Sequence, residues 1–191
     1  LTASGNGVIV RYGRVVKAWG EIDNRLSVGS AVQSATKSIG GITLGLALDD
    51  ELVTLTDLAA TRLPGFGAQP AGNNPDWLNA ITVLQLATHT AGFQKNGVAG
   101  APVNQRYSPL LEQPGTAWRY SDGSVNWLAD LLTQVFNKDL EDVMVERVWN
   151  VLGVQEGADV EWRNNVNHAV QNPSGIAQRE LASGMTINTQ T

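Results

Sequence analysis

From Ser34 to Leu48 the chain reads Ser-Ala-Thr-Lys-Ser-Ile-Gly-Gly-Ile-Thr-Leu-Gly-Leu-Ala-Leu, with Lys37 its lone charge. A helix that is apolar nearly all the way round is stable only where other elements cover it on every side. The run therefore predicts a helix sunk in a core, and the rest of the chain must supply its cover. Gly40, Gly41 and Gly45 each cost about 1 kcal/mol of helix propensity against Ala. They make sense where neighbouring elements approach the helix backbone closely. Asp49-Asp50 begins a polar exit.

The flanking segments suggest where that cover comes from. Two β-branched runs around Tyr12-Gly13 predict a hairpin over residues 7–20. Residues 26–33 read as a weaker strand. A short helix is expected over Thr56 to Leu63, stopped by Pro64-Gly65, and residues 64–76 read as loop. Thr82 and Gln85 have capping-box spacing, which predicts a helix running to about His89 and ending at Gly92. Residues 93–118 are irregular, and so long a loop in a compact domain is often functional. Two amphipathic helices follow. In 124–137 one face holds Val125, Leu128, Leu132, Val135 and Phe136. In 139–150 one face holds Leu140, Val143, Met144 and Val148, with Asp139 as N-cap and Gly153 just past the end. Residues 154–175 read as polar and irregular, and Arg179 to Thr191 as an element just starting. One hairpin is not a viable sheet in isolation, so further strands are expected outside this sequence. The expected organisation is residues 1–50 for the hairpin and nucleophile helix of an α/β domain, 51–175 for a mainly helical domain with long loops, and 176–191 for the return to the α/β domain.

Composition excludes several functions. The chain carries 13 basic and 18 acidic residues, net −5, so no basic stripe is available for nucleic acid. It lacks Cys, which rules out a disulfide scaffold and a thiol nucleophile. With two histidines, His89 and His168, and no H-E-x-x-H, no metal centre and no cofactor are expected. No apolar run approaches the roughly 20 residues of a membrane span. The first residue is Leu1, so a removed leader or missing upstream residues are expected, and the compartment stays open.

The chemistry starts at Ser34-Ala-Thr-Lys37. Residues i and i+3 lie side by side on a helix. A serine on the first turn sits at the positive end of the helix dipole, which favours a developing alkoxide. A lysine one turn in is forced into a low-dielectric site that disfavours its charge, and it could then take the serine's proton. The Ser34 backbone N–H is placed to form half of an oxyanion hole. The same spacing also fits a helix cap with a surface lysine, although a surface lysine suits such a helix poorly. A second constellation is Gly115-Thr-Ala-Trp-Arg-Tyr120-Ser121-Asp122, just before the 124–137 helix. It could set a phenol against Ser34 and Lys37 to relay a proton, or Asp122 could serve only as an N-cap.

These residues together resemble the serine β-lactamase and penicillin-binding-protein superfamily, in its class C-like branch of β-lactamases, D-amino-peptidases and carboxylesterases. Gln33 to Ile39 matches the first motif of that branch. Leu84 to Phe93 resembles its L-L-x-H-T-S-G-L signature, and Pro114 to Asp122 its P-G-x-x-x-x-Y-S-N segment. Leu140 to Gly153 resembles the helix that follows, and Ala182 to Met185 the S-G-G-L turn. The resemblance implies an α+β, transpeptidase-like fold: an antiparallel sheet flanked by helices, plus an all-helical domain. It implies acyl-enzyme chemistry with Ser34 as nucleophile, and with Lys37 and Tyr120 sharing acid–base work. Asp122 and Trp118 are the expected substrate contacts, and Trp77 and Tyr107 are further aromatic candidates that equally fit a core. His89 is implied to be structural, in a tight turn. Two departures stand out. Asp122 occupies the family's Asn position, where a carboxylate would tend to keep Lys37 protonated. No Lys/His-Thr/Ser-Gly triplet occurs after Tyr120, so the C-terminal strands and a complete site are expected to need a second chain or segment. The expected activity is a serine hydrolase on a small ester or amide. The alternative is a non-catalytic member of the same fold that binds a ligand or partner.

Overall fold

The computed structural model describes residues 7–20, 30–66, 72–95, 108–164 and 175–188. Tyr107 and His168 lie outside the described residues. Strands β1 (Gly7–Arg11) and β2 (Arg14–Trp19) form the expected antiparallel hairpin. Its turn is Tyr12-Gly13, with φ of 50° and 72°, the left-handed pair that a two-residue hairpin turn needs. Ile9, Val10, Val15 and Val16 on this ribbon are exposed.

A second sheet joins distant parts of the chain. Strands β3 (Ser30–Ala31), β4 (Val160–Trp162) and β5 (Met185–Ile187) pair antiparallel in the order β3-β5-β4. Strand β4 corrects the irregular reading of residues 154–175. Its neighbours are polar, but Val160 and Trp162 point inward and are fully buried while Glu161 is exposed. Three residues are too few for alternation to be read without the partner strand.

Helix α1 (Thr36–Asp49) follows a 3₁₀ turn at Gln33–Ala35. It is not buried all round, as its sequence predicts. Thr36, Gly40, Thr43, Leu44 and Ala47 are buried, whereas Ser38, Gly41, Ile42 and Gly45 are exposed. The reason is that Gly and Ser have almost no side chain to hide, so this face exposes one large apolar group, Ile42. Only Gly40 answers to a close neighbour, because a Cβ there would stand 2.5 Å from a buried Leu181 methyl. The short helices α2 (Ala59–Arg62), α3 (Pro75–Ala80) and α4 (Val83–Ala87) come next. Helix α3 shortens the expected loop, for Asn74 caps it and Pro75 opens it. The capping box of Thr82 and Gln85 forms as expected and starts α4.

The sunken position belongs to helix α5 (Asp122–Phe136), where every residue from Gly123 to Thr133 is buried. Its apolar side chains supply most of its stability, at roughly 1.5–3 kcal/mol for each large one fully buried. Buried Asn126 has its partners: its Oδ1 accepts the backbone N–H of Leu181 (2.9 Å) and of Ala182 (3.1 Å). The next helical segment begins at α6 (Leu140–Met144), passes through a π-helical turn at Val145–Trp149, and ends in α7 (Asn150–Leu152). Asp139 caps it and Gly153, at φ 75°, closes it, both as expected. Among the described residues no helix is long and apolar enough to cross a membrane.

Gly92 holds the turn that follows α4 against the rest of the body. Its φ is 93°, and a Cβ there would run into the carbonyl oxygen of Glu112. Gly92→Ala is therefore expected to cost about 2 kcal/mol or more. Urea unfolding measures this, and an unchanged midpoint would show that the turn is not under that constraint.

Candidate active site

Three stretches meet at the N-terminal end of α1. The 3₁₀ turn presents Ser34 at the surface, next to the left-handed Gln33 (φ 50°). One turn on, Lys37 extends its ammonium inward, and its side chain is only 13% exposed. From the segment before α5, Tyr120 reaches across to place its hydroxyl 2.6 Å from Ser34 Oγ. The chain thus brings Tyr120 to Ser34 and Lys37, from which it is more than 80 residues distant in sequence.

Lys37 Nζ donates to Ser34 Oγ at 3.1 Å, Asp122 Oδ1 at 2.9 Å and the Ala182 carbonyl at 2.7 Å. Those three oxygens match in number the three N–H bonds of an ammonium. Asp122 is therefore not the cap of α5. Ser121 is, through Ser124 N–H to Ser121 Oγ at 3.1 Å. Both residues are good caps locally, and Lys37 settles the choice by drawing the carboxylate to itself.

The Ala182 carbonyl carries no signature that sequence reasoning could single out beyond the turn it belongs to. The turn is built to hold it. Asn126 and Glu180 both accept from Ala182 N–H (3.1 and 2.8 Å), and Glu180 also accepts from Ser183 N–H at 3.0 Å. Arg163 pairs with Glu180 at 2.7 Å. Gly184 has no room for a side chain, since a Cβ would meet the Glu180 carbonyl.

Aromatic groups line the other side. His89, with φ 60°, sits in a tight turn, and its ring stacks on Tyr120 at 4.8 Å with 25° between planes. Burial lowers the His89 pKa below its ordinary value, the Lys37 cation adds to this, and Asp122 partly opposes it. Trp118 is largely exposed, edge-on to His89 at 6.0 Å and 6.3 Å from Tyr120. Lys37 stands 4.8 Å and Lys95 5.7 Å from the Tyr120 ring centre. Trp77 packs against the hydrophobic core instead.

Residues 8–162 match the family model described as Beta-lactamase. The acyltransferase calJ of Penicillium decumbens is 28% identical over 152 residues, covering 65% of this chain and 36% of that protein. The D-alanyl-D-alanine-carboxypeptidase/endopeptidase AmpH of Escherichia coli K12 is 27% identical over 176 residues, covering 81% of this chain and 45% of that protein. The chain thus spans less than half the length of these curated relatives. Among solved structures, a β-lactamase/D-alanine carboxypeptidase from Yersinia pestis superposes with a TM-score of 0.65 at 18% identity, over 97% of this chain and 58% of that one. The fold is the α+β, β-lactamase/transpeptidase-like one that the sequence resemblance implies.

The Lys37–Asp122 contact is shielded from water, with Asp122 20% exposed. A hydrogen bond to a charged group at such a place is worth about 1.5–3 kcal/mol, and salt screens it poorly. Asp122→Ala is expected to lower stability by that amount in urea unfolding, at low and high salt alike. A loss that vanishes at high salt would mark the pair as a mere surface contact.

Proposed function

The chain belongs to the beta-lactamase family, and on that premise we propose that it carries the nucleophile side of a serine hydrolase acting by acyl transfer on small esters or amides. The reading rests on two contacts to one oxygen: Ser34 Oγ lies 2.6 Å from the Tyr120 hydroxyl and 3.1 Å from Lys37 Nζ.

In this reading Ser34 Oγ attacks the acyl carbon as its proton passes to the Tyr120–Lys37 pair, which shares the acid–base work. Lys37, held by Asp122 and the Ala182 carbonyl, keeps positive charge beside the two oxygens between which negative charge passes. The tetrahedral adduct collapses, the acyl–oxygen or acyl–nitrogen bond breaks, and Tyr120 returns the proton to the leaving group. Water, or another hydroxyl as an acyltransferase relative would use, then enters by the reverse path and frees Ser34.

Asp122 bears on the substrate. A side-chain amide can donate to a substrate carbonyl, whereas a carboxylate only accepts. This favours simple esters over peptides and β-lactams. Trp118, exposed beside Tyr120, is proposed as a wall for the acyl group. The reaction also needs a second oxyanion donor. The family triplet that would carry it does not occur after Tyr120, so the proposal applies to this chain together with the polypeptide that completes the fold.

The test uses the full-length protein with a fluorophosphonate probe and a nitrophenyl ester. Ser34→Ala is expected to abolish both labelling and hydrolysis. Tyr120→Phe and Lys37→Met are expected to lower kcat by about 10²–10⁴ while KM stays within a few-fold. Ester binding without acylation, unaltered in Ser34→Ala, would overturn the reading in favour of a non-catalytic binding role.

A further inference from the structure

Four consecutive residues touch His89. The Trp118 ring meets it edge-on at 6.0 Å, Arg119 N–H donates to its carbonyl at 2.8 Å, the Tyr120 ring stacks on it, and Ser121 N–H donates to its Nδ1 at 3.1 Å. These are the residues that deliver Tyr120 to Ser34, and Ser121 is also the cap of α5. Ser121, between Tyr120 and the helix, is itself extended.

We infer that His89 is a positioning residue for the proposed reaction, holding the Tyr120 phenol in plane and at bonding distance from Ser34 through its neutral imidazole. The inference rests on the hydrolase reading and extends it. A tight turn alone would require only the left-handed backbone. It would not require the ring, which covers one face of the phenol, or a bare Nδ1, which accepts from Ser121.

The neutral ring is essential to this role. An imidazolium carries protons on both nitrogens, so Nδ1 could no longer accept from Ser121. It would also add a cation beside Tyr120, whose ring already has Lys37 at 4.8 Å and Lys95 at 5.7 Å, while Arg119 is paired with Glu112. Asp122 would welcome the charge, but it is engaged by Lys37. The sign follows: because the imidazole is pushed below its ordinary value, the clamp holds above ordinary imidazole titration and is lost as pH falls through the lowered value.

The experiment compares the full-length protein with His89→Asn and His89→Phe. Asn tolerates the left-handed backbone and can accept from Ser121, but has no ring to stack. Phe keeps the stack and removes the acceptor. For His89→Asn, kcat of ester hydrolysis is expected to fall about 100-fold, the scale of a misplacement near 1 Å, with KM within a few-fold and the unfolding midpoint kept. Wild type should lose activity on acidification together with protonation of the His89 ring followed by NMR, and the same titration should move the Tyr120 ring signals. Both variants should lack that acid step. An unchanged kcat in His89→Asn, or Tyr120 signals indifferent to His89 protonation, would overturn the inference. Hydrolysis that survives Ser34→Ala would instead sink the hydrolase reading, and the NMR coupling would still decide whether His89 holds Tyr120.

Discussion

The Lys37 ammonium is the point on which the site depends. It sits at the start of α1 and binds three oxygens that belong to three different parts of the chain: Ser34, Asp122 at the head of α5, and the carbonyl of Ala182. Each contact satisfies one N–H, and each oxygen is fixed by its own element. A charge with little exposure is tolerable only under such complete partnering. The same requirement forces α1, α5 and the turn before β5 into one arrangement.

The second constraint is the central position of α5. From Ser124 to Thr133 its polar residues are buried. Asn126 holds the 181–182 backbone, and that backbone presents the Ala182 carbonyl to Lys37. Packing and site geometry are thus one network. Leu181 lies against Gly40 of α1 while its neighbour Ala182 receives the lysine. A change that loosens this turn moves an acceptor of the ammonium, with no contact to Ser34 itself.

What could be read from residues was what local rules decide. The Thr82–Gln85 box, the Asp139 cap, the Tyr12-Gly13 turn and the i, i+3 pairing of Ser34 with Lys37 each depend on neighbours a few positions away, and each forms. The rest depends on partners far along the chain. The sequence offers Asp122 as a cap for α5, whereas the cap is Ser121 and Lys37 holds the Asp122 carboxylate. Trp162 lies in a strand of three residues that exists because β5 pairs with it. Hydropathy exchanged the roles of α1 and α5, because it counts Gly as apolar and counts buried Asn126, Asp130 and Thr133 as surface. His89 showed its turn in the sequence, but its stacking on Tyr120 required both segments in place.

The proposed chemistry makes one claim above all: the hydroxyl that Lys37 and Tyr120 share is where substrate would become covalently attached. Acid-quench mass spectrometry of the Ser34-bearing peptide, taken from the full-length protein during ester turnover, tests it directly. The account predicts the substrate's acyl mass on Ser34, appearing before steady state is reached. Continued turnover with that peptide unmodified at every time point would contradict it.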